Sequence, residues 1–298
     1  MLLMKRNIVS LLTPDSSQEY DESKCVRNNS KKKIQAIFNS GSTASSMSRS
    51  ITCEVCGLVY HSHIQRDKET HRRYHNNFVQ GVQWPASYCT ILIKKFSLHL
   101  QCQADKKVTD GKRTKTSITS EGRKDLSVVV IDKRNAKQIK RTEEVLNMVN
   151  NELNAPSACS FWKEESNDAI PGKAFVLVME GRAIGLCTTE PIRDIERQCR
   201  WMVHRTQNLV PLQVNKHIKL GISRIWIAPW WRRNGLAKLL LNMVVTDSIY
   251  GINLDKKYIG FSQPSYHGGL LAKSFNGVMH KSGEVLIPVY LEANEASR

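Results

Sequence analysis

Ser223–Lys238, SRIWIAPWWRRNGLAK, decides how this chain is read. The apolar run Ile225-Trp226-Ile227 gives way to Pro229 and then to Arg232-Arg233-Asn234-Gly235, after which LAKLLLNMVV carries a helical pattern. A short strand is therefore expected to pass through a sharp turn into a helix N-terminus. The first N–H groups of such a helix have no partner within it, and the helix dipole adds partial positive charge there. Gly235 and Ala237 contribute little or no side chain, so backbone can approach a ligand closely. With two arginines beside it, the turn is a cradle for an anion such as the pyrophosphate of a nucleotide-like cofactor.

Outward from this stretch the pattern is globular from Leu126 to the end. Ser127–Ile131 is a β-branched run that reads as a buried strand, and Asn135 to Leu153 places Ile139, Val145, Leu146 and Val149 on one face of a helix. Lys173–Met179 and Ala183–Thr188, separated by Glu180-Gly181-Arg182, read as a hairpin with a tight turn. Lys219–Pro229 is the next strand, Gly235–Ile249 a helix stopped near Gly251, Lys257–Ser262 a strand ended by Pro264, and Val285–Leu291 the closing strand. Helices alternating with strands, plus one hairpin, predict an α/β mixed sheet flanked by helices over 126–298.

Toward the N-terminus the chemistry changes. Residues 51–97 gather cysteines, histidines and aromatics, and within them Cys53-x2-Cys56 is followed after fourteen residues by His71-x3-His75. A Cys-x2-Cys turn holds two thiolates together, and His-x3-His places two imidazoles one helical turn apart, the tetrahedral donor set that zinc prefers. A segment this small has no core of its own, so the metal would supply its folding energy. His61 and His63 are read as surface histidines. A single finger with RDKET ahead of His71 points to a structural or docking role rather than base reading. Residues 1–50 read as a disordered basic arm, in which Lys31-Lys32-Lys33 is read first as part of a solvated tail, with an import signal or DNA contact as the alternative. Residues 98–125 read as a basic linker short of large apolar side chains.

Composition bounds the setting. The chain has 298 residues, with 44 Lys+Arg against 27 Asp+Glu and a formal net charge of +17, which favours a polyanionic neighbourhood, DNA or chromatin. Of its 8 cysteines only Cys53 and Cys56 are closely paired, which suits a reducing compartment with a metal site rather than a disulfide framework. No apolar run reaches the roughly 18 residues of a membrane span, and a secretory signal is not expected. The expected setting is the nucleus, on chromatin.

Together CEVCGLVY and HRRYHNNF in the finger, then GISRIWIAPWWRRNGLAKLL, SIYG and FSQP, resemble the cohesin acetyltransferases, the family that establishes sister-chromatid cohesion. Arg232-x-x-Gly235-x-Ala237 is similar to the acetyl-CoA signature of GNAT enzymes. The resemblance covers the finger and roughly residues 170–298. It implies a GNAT fold and acetyl transfer from acetyl-CoA to lysines on the head of cohesin's SMC subunit during S phase, with the replication machinery nearby. It also implies that the backbone of Ile225, Trp226 and Ile227 holds the pantetheine. Arg233, Asn234, Gly235, Leu236, Ala237 and Lys238 would wrap the pyrophosphate, and the loop Ser265-Tyr266-His267 would flank the cofactor.

The proton-handling half is less complete. A substrate lysine is protonated at neutral pH and must lose a proton before it attacks a thioester. The family's serine is present as Ser223, but its helix glutamate falls on Asn242 and its FSDP aspartate on Gln263, amides that cannot act as bases. Glu190, Asp247, His267 and Ser223 are the candidate substitutes, with Glu190 placed first because CTTEPI brings it to a strand end beside the expected acceptor groove. The alternatives are a lysine delivered partly deprotonated, and a catalytically weakened cohesin-binding or chromatin-binding protein that keeps the acetyl-CoA pocket. Cys187 and Cys199 are expected to be buried small hydrophobes rather than nucleophiles.

Overall fold

The computed structural model describes residues 50–102, 121–156, 161–164 and 166–292. All but the last residue of the expected arm, with Lys31–Lys33, lies outside the described residues, as does the middle of the expected linker. In chain order the elements are β1 (Ser50–Thr52), β2 (Val59–His61), α1 (Gln65–Gln80), β3 (Val82–Gln83), β4 (Ile91–Gln101) and β5 (Glu121–Val130). There follow α2 (Ala136–Leu153), β6 (Ala174–Met179), β7 (Arg182–Pro191), α3 (Ile195–Gln198), β8 (Cys199–Val203) and β9 (Asn208–Val214). The chain continues through β10 (Leu220–Ile227), α4 (Leu236–Asp247), β11 (Ile259–Ser262), α5 (Tyr266–Asn276), β12 (Val278–Met279) and β13 (Val285–Tyr290).

The main sheet runs β4-β5-β6-β7-β10-β11-β13-β8-β9, with β3 on β7 and β12 on β13. It is mixed: β10–β11 and β11–β13 are parallel, whereas the β4-β5-β6-β7-β10 run is antiparallel throughout. Its centre is apolar on both faces, as every residue of β6 is buried, and helices must therefore cover both sides. Side chains of β10 alternate accordingly. Arg224 and Trp226 bond to the end of α2. Ile227 points the other way, where Leu240 of α4 meets the same glycine, Gly185. α2 opens on Asn135, whose side chain accepts from the N–H groups of Lys137 and Gln138, and closes on Asn154 in a left-handed conformation.

Three expectations change. The stretch 98–125, expected as linker, begins and ends in strand: β4 and β5 pair antiparallel from Ile91↔Val130 to Gln101↔Glu121. β4 is an edge strand on which Lys94, Lys95 and His99 are exposed, and such charged side chains guard an open edge against pairing with another chain. It also starts within the expected finger segment, and the described residues belong to one compact unit. β8 and β9, unforeseen from sequence, complete the far edge, where Pro211 is tolerated because an edge strand need not donate every N–H. Finally, Ser265-Tyr266-His267 is a helix start rather than a loop: Ser265 caps α5, accepting from Gly268 N–H at 3.3 Å. Among the described residues no helix is long and apolar enough to cross a membrane.

Candidate active site and metal centre

The parallel pair at the middle of the sheet comes apart. β10 and β11 are in register over Leu220↔Ile259, Gly221↔Gly260 and Ile222↔Phe261, and there their pairing ends. At the same point β10 bulges against β7, between Ile222 and Arg224. From Ser223 onward β10 keeps β7 but has no strand on its other edge among the described residues. The opening is a groove of ≈ 750 Å³. Ile225, Trp226 and Ile227 line it from the strand, Arg232, Arg233, Gly235, Leu236, Ala237 and Lys238 from the turn and α4, and Ser265, His267 and Gly268 from the start of α5. Two helix N-termini thus face one groove, both offering unpaired N–H groups. Gly235 has φ 75° and no atom within 4 Å of where a Cβ would stand, so its glycine serves backbone conformation and leaves the cradle open. The donor set fits a pyrophosphate.

Of the predicted cofactor residues, Asn234 and Tyr266 do not line the groove. The Asn234 side chain is turned to β4, accepting from Gln101 N–H and donating to Gln101 O, both at 2.9 Å. Tyr266 is largely exposed and its ring meets His267 edge-on at 5.6 Å. The residue that sequence reasoning missed is Glu152, in the last turn of α2. One of its oxygens accepts from Trp226 Nε1 and the other from Arg232, each at 2.6 Å, while Arg232 Nε donates to Ile227 O at 2.8 Å. Glu152 therefore fixes the splayed strand and the anion turn to each other. Nothing local in the sequence signals this, since its partners lie 74 and 80 residues away.

The proton-handling candidates sit deeper. The Ser223 hydroxyl meets the Thr188 hydroxyl at 2.8 Å, across from β7. Glu190, two residues along β7 and on the same face, is only 3% exposed and accepts a hydrogen bond from the Tyr290 hydroxyl. The Tyr290 ring occupies the space above Gly221, where any Cβ would come within 2.5 Å of it. Burial, then the Glu190 charge, pushes the Tyr290 hydroxyl well above its ordinary pKa, so it remains a donor. Asp247 takes a hydrogen bond from Thr246 at the end of α4. Asn242 is exposed on α4, and Gln263 is exposed just after β11. Cys187 and Cys199 are fully buried. Burial raises both thiols, that of Cys199 to about 12, which argues against a nucleophilic role for either.

The finger brings its four predicted ligands together. One donor atom from each of Cys53, Cys56, His71 and His75 lies within 4.8 Å of all the others. His71 Nε2 is buried without a hydrogen-bond partner, an orphan that a metal would satisfy. Burial pushes the Cys56 thiol up to about 11, with Cys53 adding to it, and a divalent cation reverses that by favouring thiolates. Tyr60 stacks on the His71 ring at 4.0 Å. His61 belongs to another contact, with Asp67 at 3.0 Å, as its reading as a non-ligand requires. The helix that carries both histidines ends against the turn that leads into α4: Phe78 and Val79 are buried, and Trp231 Nε1 donates to Gln80 O at 3.3 Å.

Comparison with known proteins agrees with both halves. Residues 216–285 match the family model for the ESCO1/2 acetyl-transferase, and residues 35–77 match that for the zinc finger of acetyl-transferase ESCO. The N-acetyltransferase ECO1 of Debaryomyces hansenii is 52% identical over 292 residues, covering 97% of this chain and 100% of that protein. The chain belongs to the ECO1 family of N-acetyltransferases. ECO1 of Saccharomyces cerevisiae is 31% identical over 85% of this chain and 92% of its own. Among solved structures, the xEco2 acetyltransferase domain bound to a K105-CoA conjugate is 22% identical over 50% of this chain and 87% of that domain, with a TM-score of 0.40. As a member of the ECO1 family the chain is an acetyltransferase with a zinc finger, and its cofactors are acetyl-CoA and zinc.

Proposed function

We propose that this ECO1-family enzyme acetylates lysines on the SMC head subunit of cohesin, in the nucleus during S phase, and so establishes sister-chromatid cohesion. The observation that carries the acetyl-transfer reading is the parting of β10 from β11 above the N-terminus of α4. Bound acetyl-CoA supplies an activated acetyl thioester. The backbone edge of Ile225–Ile227, which no described strand pairs, would orient the pantetheine arm and polarise the thioester carbonyl. The N–H groups opening α4, with Arg233 and Lys238, hold the pyrophosphate. Zinc, held by Cys53, Cys56, His71 and His75, orders the finger that buttresses the turn.

Ser223 and Glu190 are proposed as the proton-handling pair. Among the described residues lining the groove the one carboxylate is Glu152, and both its oxygens are engaged, so it does not stand in for the family's missing acids. Ser223 opens the unpaired edge, and Thr188 links it to the strand that carries Glu190. The substrate amine would attack the thioester carbonyl directly in a ternary complex, the new C–N bond replacing the C–S bond as CoA leaves as its thiolate, with Ser223 and Glu190 as the groups that would take up the amine's proton. The test is transfer from labelled acetyl-CoA to a cohesin head fragment. Incorporation on head lysines above the uncatalysed rate is expected. No transfer with acetyl-CoA binding retained would overturn the reading.

A further inference from the structure

A second groove, of ≈ 630 Å³, lies on the outer side of the finger helix. Arg66, Arg72, Arg73 and Asn77 of α1 line it, together with Gln83 and Arg182 from the strand pair β3–β7. This face of α1 is opposite the buried side that carries Phe78 and Val79, and all three of its arginines are exposed. Among the described residues none of the three has a hydrogen bond or ion pair. Arg182 spends one N–H on Gly81 O at 2.8 Å, which fixes it at the groove's edge with the rest of its guanidinium to offer. One carboxylate, Glu69, lies in the groove, against four guanidinium groups.

Uncommitted guanidinium groups interleaved with amides are what a run of phosphates calls for, since Arg forks match phosphate oxygens and amides donate alongside them. Arg66 and Arg73 are seven residues apart on one helix, about 10 Å, a span long enough to meet more than one phosphate of a duplex that carries a charge on each strand every roughly 3.4 Å of its axis. The groove is too open to enclose a single ion, and the chain as a whole carries a net charge of +17. We propose that this groove is a sequence-independent binding surface for the sugar-phosphate backbone of duplex DNA, built from the outer face of the finger helix and the β3–β7 edge. It goes beyond acetyl transfer and does not depend on it. The finger then has two working faces: an inner one for zinc and the cofactor turn, an outer one that holds the enzyme on the duplex.

The experiment uses the full zinc-loaded chain and a short duplex of arbitrary sequence, with affinity measured across a salt series. Substituting Arg66→Gln, Arg72→Gln and Arg73→Gln together should lower the slope of log affinity against log salt by roughly 0.9 for each phosphate that is no longer neutralised, and weaken binding by about tenfold or more. Glu69→Gln removes the one opposing charge and should tighten binding, a gain that a folding defect does not produce. Acetyl transfer to a peptide lysine without DNA should be unchanged in every variant, so failure here and failure of the acetyl-transfer reading are separable. An unchanged affinity and slope in the triple variant, or no tightening in Glu69→Gln, overturns the proposal. So does a triple variant that keeps duplex binding but loses binding to a polyglutamate peptide, which assigns the groove to an acidic protein instead.

Discussion

The finger and the sheet hold themselves together in opposite ways. In the finger, β1 is exposed along its length, β2 is at best half-buried, and α1 buries only Phe78 and Val79. In the sheet, every residue of β6 and all but the first of β7 are buried, and Phe175, Leu177 and Leu186 are fully enclosed. The finger has too little apolar surface to offset the entropy of ordering its chain, so four donor atoms around one ion must do what the core does elsewhere. One chain thus contains a region whose folding depends on a solute and another whose folding depends on burial.

The strongest way to break that contrast is to remove the metal. Chelation, or Cys53→Ser, takes away a contribution of roughly 10 kcal/mol by the standard of structural zinc sites. Zinc content should fall, and amide exchange should become fast across β1, β2 and the first turns of α1 while β6 and β7 stay protected. Loss of protection in β6 and β7 at the same zinc concentration would make the two regions one. The complementary change is Phe175→Ala, expected to cost about 3–5 kcal/mol and lower the melting temperature by about 10 °C, with zinc affinity at intact Cys and His unchanged.

Two smaller effects test the seam between the regions. Gly235→Asp places a carboxylate at the mouth of the anion cradle, and on a backbone that favours glycine. KM for acetyl-CoA should rise about tenfold or more, near 1.4 kcal/mol per factor of ten, and unchanged KM would remove the pyrophosphate from that turn. Glu152→Gln keeps the shape but removes the charge shared by Trp226 and Arg232. Because Arg232 is 38% exposed, the loss is screened to about 1 kcal/mol. Steady-state kinetics should show KM for acetyl-CoA raised a few-fold with kcat held; a fall in kcat alone would place Glu152 in the chemistry instead.

The parts legible in the sequence are those whose signals are local. Cys53, Cys56, His71 and His75 announce themselves by spacing, and the hairpin of β6 and β7 by two apolar runs around Glu180-Gly181. The turn into α4 is readable because Gly235 and the apolar rows after it lie within one short window. β4 was hidden because an edge strand alternates, and LIKKFSLHL gives a half-polar pattern divided between the expected finger segment, up to residue 97, and the expected linker after it. α5 was hidden by Gly268 and Gly269, and Gly269 is buried where a Cβ would crowd Gln207. The long-range pairs, Glu152 with Trp226 and Glu190 with Tyr290, have no local signature at all. The splay itself is a property of two strands and is invisible in either one.

The hydrogen bond from Trp231 to the carbonyl of Gln80 has a thermodynamic corollary. It joins the last residue of the zinc-bearing helix to the turn ahead of α4, where the pyrophosphate is proposed to sit. Linkage between two ligands on one protein is reciprocal: by whatever factor zinc raises affinity for acetyl-CoA, acetyl-CoA raises affinity for zinc. With a factor above one, a shortage of either ligand in the cell would loosen the enzyme's grip on the other.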